Sequence, residues 1–147
     1  MSRCPTETLY IERLFDAPPE RLFAYFTDPG LMKSWWSPGG STMLAGTVDL
    51  RVNGHCRWKM QTQSGHIAYL NGIIKAVEPP FRLVLTHHWE GAASETIVTL
   101  EFVPQAEGKT KLLLTQEGIS DSTMLTAVRQ GWALPLDQLA CEMERIR

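Results

Sequence analysis

Apolar and polar side chains alternate at the start of the chain. Leu9 and Ile11 stand against Thr8, Tyr10 and Glu12, which predicts a strand from Thr6 to Phe15. Asp16-Ala-Pro-Pro-Glu20 then reads as a helix start, because proline suits a first helical turn and acidic groups favour that end. Leu22, Phe23 and Phe26 give this short helix one apolar face, and it should stop near Asp28-Pro29. A second short helix is expected to carry Leu31, Met32, Trp35 and Trp36. Successive residues on a helix point about 100° apart, so one face cannot bury both tryptophans equally. One of the pair is expected to anchor the helix and the other to line or lid a space not filled by protein.

The texture changes after Pro38-Gly39-Gly40. Runs with strand character cover Thr47–Val52, His55–Thr62, His66–Val77, Arg82–Glu90, Glu95–Val103 and Thr110–Glu117. Asn53-Gly54 is a two-residue hairpin signal between the first two. The other turns fall at Gln63-Ser-Gly65, Glu78-Pro-Pro80, Gly91-Ala-Ala-Ser94 and Ala106-Glu-Gly108. Spacings this short favour an antiparallel meander, since parallel crossovers need a dozen or more residues. From about Asp121 to Arg147 the period becomes helical: Met124/Leu125, Val128, Trp132, Leu136, Leu139, Met143 and Ile146 recur every three or four positions. Asp121 and Ser122 are the N-cap candidates. Such a helix is roughly 36–40 Å long, enough to cross a sheet. Pro135 should kink it, and Gly131, one turn earlier, marks a place for close backbone approach.

A sheet with one apolar face must cover that face, and the long helix is the natural cover. A twisted sheet touches a straight helix along one line only. The expected fold class is therefore α+β: strand, two short helices, about six further antiparallel strands and a long helix, in one domain over residues 1–147. That geometry favours an elongated cavity between sheet and helix.

Composition narrows the function classes. The formal net charge is -2 and no basic run occurs, which argues against a nucleic-acid partner. Apolar runs extend only a few residues, so membrane insertion is not expected. The first residues, Met1 to Thr8, hold no apolar block of the signal-peptide kind. Cys4, Cys56 and Cys141 are odd in number and match no metal spacing, which suggests reduced thiols and a cytoplasmic setting.

Strand alternation sorts side chains by face. With Trp58 inward, Cys56 and Met60 follow it, and His55, Arg57 and Lys59 face out. Leu83, Leu85, His87 and Trp89 share one face; Val98, Leu100 and Phe102 share another inward set, as do Leu112, Leu114 and Gln116. Both faces of His66–Val77 look half apolar, so its orientation stays open and Tyr69 is only a candidate. The candidate ligand-contacting residues are Trp35, Trp36, Trp58, Met60, Tyr69, His87, Trp89, Leu100, Gln116, Val128 and Trp132. This set is mostly apolar with a few orienting polar groups, the profile of a small-molecule site; plain core filling is the competing reading. His87 and His88 are strand neighbours that point to opposite faces and would not chelate one metal. No catalytic, metal or cofactor motif is evident, and Pro38-Gly-Gly40 lacks the lysine of a phosphate loop.

Several stretches in order carry a family likeness. They are Phe15-Asp-Ala-Pro-Pro-Glu-Arg-Leu-Phe23, Thr27-Asp-Pro29 through Trp35-Trp36-Ser-Pro-Gly-Gly40, and Asp49-Leu-Arg51 with Gly54. Glu78-Pro-Pro-Phe-Arg-Leu83, Leu112 to Gly118, and Gly131-Trp132 with Leu136 and Leu139 continue the series. Over about Thr8 to Leu139 the chain resembles the START-like (SRPBCC) helix-grip superfamily. Within it, the nearest branch is similar to the C-terminal domain of the activator of the heat-shock chaperone's ATPase. The resemblance implies a β-α-α-β6-α fold, a curved antiparallel sheet wrapped around the C-terminal helix. Members of that superfamily bind lipids, hormones or polyketides, cyclise or dehydrate polyketides, or assist a chaperone. Relatives often carry histidine where Val128 and Gln116 stand here, so this cavity should be less basic and less able to move protons.

Three functions compete on these grounds. Binding of a small hydrophobic or aromatic molecule is favoured. A polyketide cyclase/dehydratase-like enzyme would use His87 and Tyr69 as acid and base. A chaperone ATPase activator-like adaptor is the third; the chain lacks the activator's larger N-terminal domain, so stimulation of an ATPase is not the expectation. An outer sheet face or edge could also pair two copies into a homodimer.

Overall fold

The computed structural model describes residues 5–146. The strands are β1 (Glu7–Phe15), β2 (Thr42–Val48), β3 (His55–Gln61), β4 (Ile67–Glu78), β5 (Arg82–Trp89), β6 (Thr96–Pro104) and β7 (Thr110–Ile119). They form one seven-stranded antiparallel sheet in the order β1-β7-β6-β5-β4-β3-β2. Helices α1 (Pro19–Thr27) and α2 (Pro29–Met32) link β1 to β2, and α3 (Ser122–Arg145) follows β7. The sheet is curved and open, with α3 against its inner side near β1 and β7. This is the α+β arrangement that the residue pattern predicts, and it is the helix-grip fold that the resemblance implies. Arg147 and Met1 to Cys4, with the Cys4 thiol and the first half of the stretch read as free of a signal-peptide block, lie outside the described residues.

Local chemistry accounts for the element ends. Pro19 opens α1, where a missing N–H costs nothing, and Leu22, Phe23 and Phe26 face the core. The Asp28 carboxylate accepts from the Gly30 amide at 2.9 Å and starts α2. Asp121 caps α3 by accepting from the Met124 amide at 2.8 Å. Trp132, Leu136, Leu139 and Met143 form the buried stripe of α3. Pro135 lies buried inside that helix, which runs unbroken from Ser122 to Arg145.

Two parts of the sheet differ from the sequence expectation. The first hairpin does not turn at Asn53-Gly54. β2 ends at Val48, and residues 49–54 make a wider loop, closed where the Asp49 amide donates to the His55 carbonyl. Gly54 is fixed by space: a Cβ there would lie 1.9 Å from the Asp49 carbonyl oxygen. The second difference is a register shift between Ile74 and Ala76 of β4 against β5. This bulge flips the inward parity. Leu70 and Ile74 face the core before it, and Val77 packs on the core after it. That is why both faces of the segment look half apolar in sequence. Gly72 permits the close crossing, since a Cβ would sit 2.5 Å from the Thr86 carbonyl oxygen.

Candidate functional site

A cavity of about 240 Å³ lies between the inner sheet face and α3. Leu70 of β4, His87 and Trp89 of β5 and Gln116 of β7 form the sheet side. Met124, Ala127, Val128, Gly131 and Trp132 form the helix side, and Trp36, Pro38 and Gly39 close the remaining wall. The 3-10 turn Pro38–Gly40 packs beside α3 at Gly131, where a Cβ would meet the Gly39 nitrogen at an ordinary contact distance of 3.7 Å. The Ser37 hydroxyl donates to Gln138 of α3 at 2.9 Å and holds the same loop to the helix.

The two neighbouring tryptophans have different jobs in packing. Trp35 is fully buried; its ring lies 4.7 Å from Phe26, and its indole N–H donates to the Tyr25 carbonyl at 2.8 Å. Trp36 stands in the cavity wall, with ring centroids 5.2 Å from Trp132, 6.0 Å from His87 and 6.1 Å from Trp58. The indole N–H groups of Trp36 and Trp58 are buried without a hydrogen-bond partner among the described residues.

Trp132 is tied down by a relay of hydrogen bonds. Its indole N–H donates to Gln116 Oε1 at 2.8 Å; Gln116 Nε2 donates to Thr96 Oγ1 at 2.9 Å; Thr96 Oγ1 donates to the His87 carbonyl at 3.4 Å. The relay joins α3 to β7, β6 and β5 around the cavity and fixes which way the Gln116 amide faces. Gln116 therefore builds the wall with both ends of its amide engaged.

His87 is half-buried among aromatic rings. It lies nearly parallel to Trp132 at 6.4 Å and edge-on to Trp36 and Trp58. Burial pushes its pKa from the ordinary 6.5 down to about 4, because a charged imidazole loses its hydration there. The folded value lies below the unfolded one, so between those limits the unfolded chain takes up a proton that the folded chain refuses. Stability contributed by neutral His87 is complete above pH 6.5 and is lost as the pH falls toward 4. The expected loss is on the order of 2 kcal/mol, less than full burial would give because the ring is only half-buried. Denaturant melts of the wild type and His87→Phe across this window test it. A difference between the two that stays constant with pH would contradict this role.

Six of the residues singled out from sequence meet at the cavity: Trp36, His87, Trp89, Gln116, Val128 and Trp132. Trp35, Trp58, Met60 and Leu100 do not line it but lie within the packed core. Trp58 packs behind Trp36 and His87, and Leu100 sits between Val98 and Phe102 on the inner face of β6. Tyr69 falls on the outer sheet face, where the Arg57 guanidinium covers its ring at 4.0 Å. There Asn71 and Arg57 both donate to Glu90 at 2.9 Å, and those bonds and the Arg57 charge hold the Glu90 carboxyl below its usual range. Leu70, Pro38, Gly39, Met124, Ala127 and Gly131 complete the wall. Leu70 could have been found by pairing, since it stands opposite Trp58 in the ladder.

The described residues bring together no three His, Cys, Asp or Glu groups fit to hold a metal ion. No helix among them is long and apolar enough to cross a membrane.

Residues 16–144 match the family model described as activator of Hsp90 ATPase homolog 1-like protein. The chain belongs to this family. Solved structures of similar proteins agree with the assignment. A Rhodobacter sphaeroides protein is 26% identical with a TM-score of 0.84, over 94% of this chain and 92% of its own. The AHSA1 protein of Silicibacter pomeroyi is 26% identical with a TM-score of 0.83, over 96% and 100%. CalU16 of Micromonospora echinospora is 27% identical with a TM-score of 0.70, over 96% and 81%. A search of curated proteins found no match. The cavity wall of this family member holds three indoles, one imidazole and no charged side chain.

Proposed function

We propose that this chain is a binding module that shelters a small apolar or aromatic molecule between its sheet and α3. The observation that carries the reading is the cavity of about 240 Å³ walled by Trp36, Trp89, Trp132 and His87. A cavity of about 150 Å³ accommodates benzene, so this one suits a guest on the order of ten non-hydrogen atoms. Aromatic walls supply contact area and edge-to-face geometry, and the few polar groups supply orientation. An acid/base pair of His87 with Tyr69 is not available to the enzyme reading, since the two lie on opposite faces of the sheet.

Naphthalene is a probe of suitable size. Its titration should be followed through the five tryptophan indole N–H signals in a proton–nitrogen correlation spectrum. The Trp36, Trp89 and Trp132 signals are expected to move saturably while that of Trp35 stays. Signals that do not move, or that move together with Trp35, would remove the proposal.

A further inference from the structure

The wall chemistry selects among guests, given that the cavity binds one as proposed above. No Lys, Arg, Asp or Glu lines it. The Gln116 amide is engaged by Trp132 and Thr96. The ring nitrogens of His87, in contrast, make no hydrogen bond among the described residues, and the ring is packed edge and face by Trp36, Trp58 and Trp132. A neutral imidazole offers one donor and one acceptor. Trp36 adds a buried N–H that also lacks a partner among the described residues. The geometry points to a neutral, hydroxylated aromatic molecule of one or two rings as the guest, its hydroxyl hydrogen-bonded to His87 and its rings packed against Trp36 and Trp132.

A carboxylate in this wall would be buried without a counter-charge, which costs more than its ring contacts return. His87 does not supply that charge, because burial keeps its imidazole neutral down to about pH 4. An ammonium group could rest on the indole faces but would meet no acidic side chain in the wall. A hydroxyl satisfies the imidazole at no charge cost, trading its hydrogen bond to water for one to a ring nitrogen.

The test compares four probes of one ring size at neutral pH: naphthalene, a naphthol, a naphthoate and a naphthylmethylammonium. Dissociation constants come from the indole signals. The naphthol should bind about tenfold more tightly than naphthalene. The two ions should bind at least about a hundredfold more weakly than the naphthol. In His87→Phe the naphthol preference should vanish while naphthalene still binds, and His87→Gln, which keeps a neutral donor and acceptor, should restore part of it. If naphthalene binds but the naphthol gains nothing, or either ion matches the naphthol, the hydroxyl assignment is wrong and the cavity proposal stands. If no probe binds, both fall.

Discussion

Replacing Trp35 with alanine is expected to destabilise the fold by about 3–5 kcal/mol, the range for deleting a large buried aromatic. Two separate losses contribute. The side chain is 0% exposed and packs on Phe26 and Trp36, so its removal opens a void that a dense interior closes only in part. The second loss is polar. In α1 the helical partner of the Tyr25 carbonyl would be the amide of residue 29, but Pro29 has none. The Trp35 indole N–H fills that vacancy at 2.8 Å, and alanine leaves the carbonyl unpaired. Trp35→Phe separates the terms: it keeps most of the packing and should cost about 1–3 kcal/mol, the usual range for an orphaned buried acceptor. For a chain of this length, the alanine variant should melt on the order of 10 °C lower. A shift within a few degrees of zero would show that Trp35 is not the anchor of the α1–α2 segment.

The same pair of residues shows how far the sequence could be read and where it stops. The helix expected to carry both tryptophans ends at Met32, and Trp35 and Trp36 lie past it, 0% and 5% exposed, so helical geometry does not bury them unequally. They differ in role, Trp35 bonding to Tyr25 and Trp36 lining the cavity. Which of them anchors depends on Pro29 leaving a carbonyl unpaired and on how α2 turns, which are three-dimensional facts. Strands with strict alternation, such as Trp58 with Cys56 and Met60, were legible because parity alone sets their face. Tyr69 was not legible, because the bulge after Ile74 makes both parities of β4 look apolar. Nor was the extent of the cavity. Met60, Leu100 and Trp58 share the inner face with His87, but the packing of Trp36 on Trp58 separates core from cavity. The helix-side wall contains Ala127, whose small side chain gives no hydrophobic signal, and Gly131, which the sequence marks only as a place of close approach; both leave room for the cavity. The hairpin at Asn53-Gly54 failed for a related reason. The dipeptide signals a turn, and it does lie in one, with Asn53 at φ 67, but the strand before it ends five positions earlier.

Filling the cavity gives the largest expected effect on function. Val128 sits half-buried on α3 in the cavity wall, one turn before Trp132. Val128→Trp should place an indole in the space a guest would use. A volume of about 240 Å³ admits a group of that size without displacing the sheet, so the melting temperature should hold within a few degrees or rise. Naphthalene binding should weaken at least a hundredfold, a difference of about 2.7 kcal/mol. Overpacking, were the indole to clash, would appear instead as a lower melting temperature, because cores resist added volume. Val128→Ala guards against that ambiguity: it widens the same wall, should keep the fold and should still bind naphthalene. Retained binding in the tryptophan variant would place the guest elsewhere on the protein. Loss of binding in both variants would mean that the Val128 side chain itself holds the guest, and that the aromatic wall of Trp36, His87 and Trp132 is insufficient.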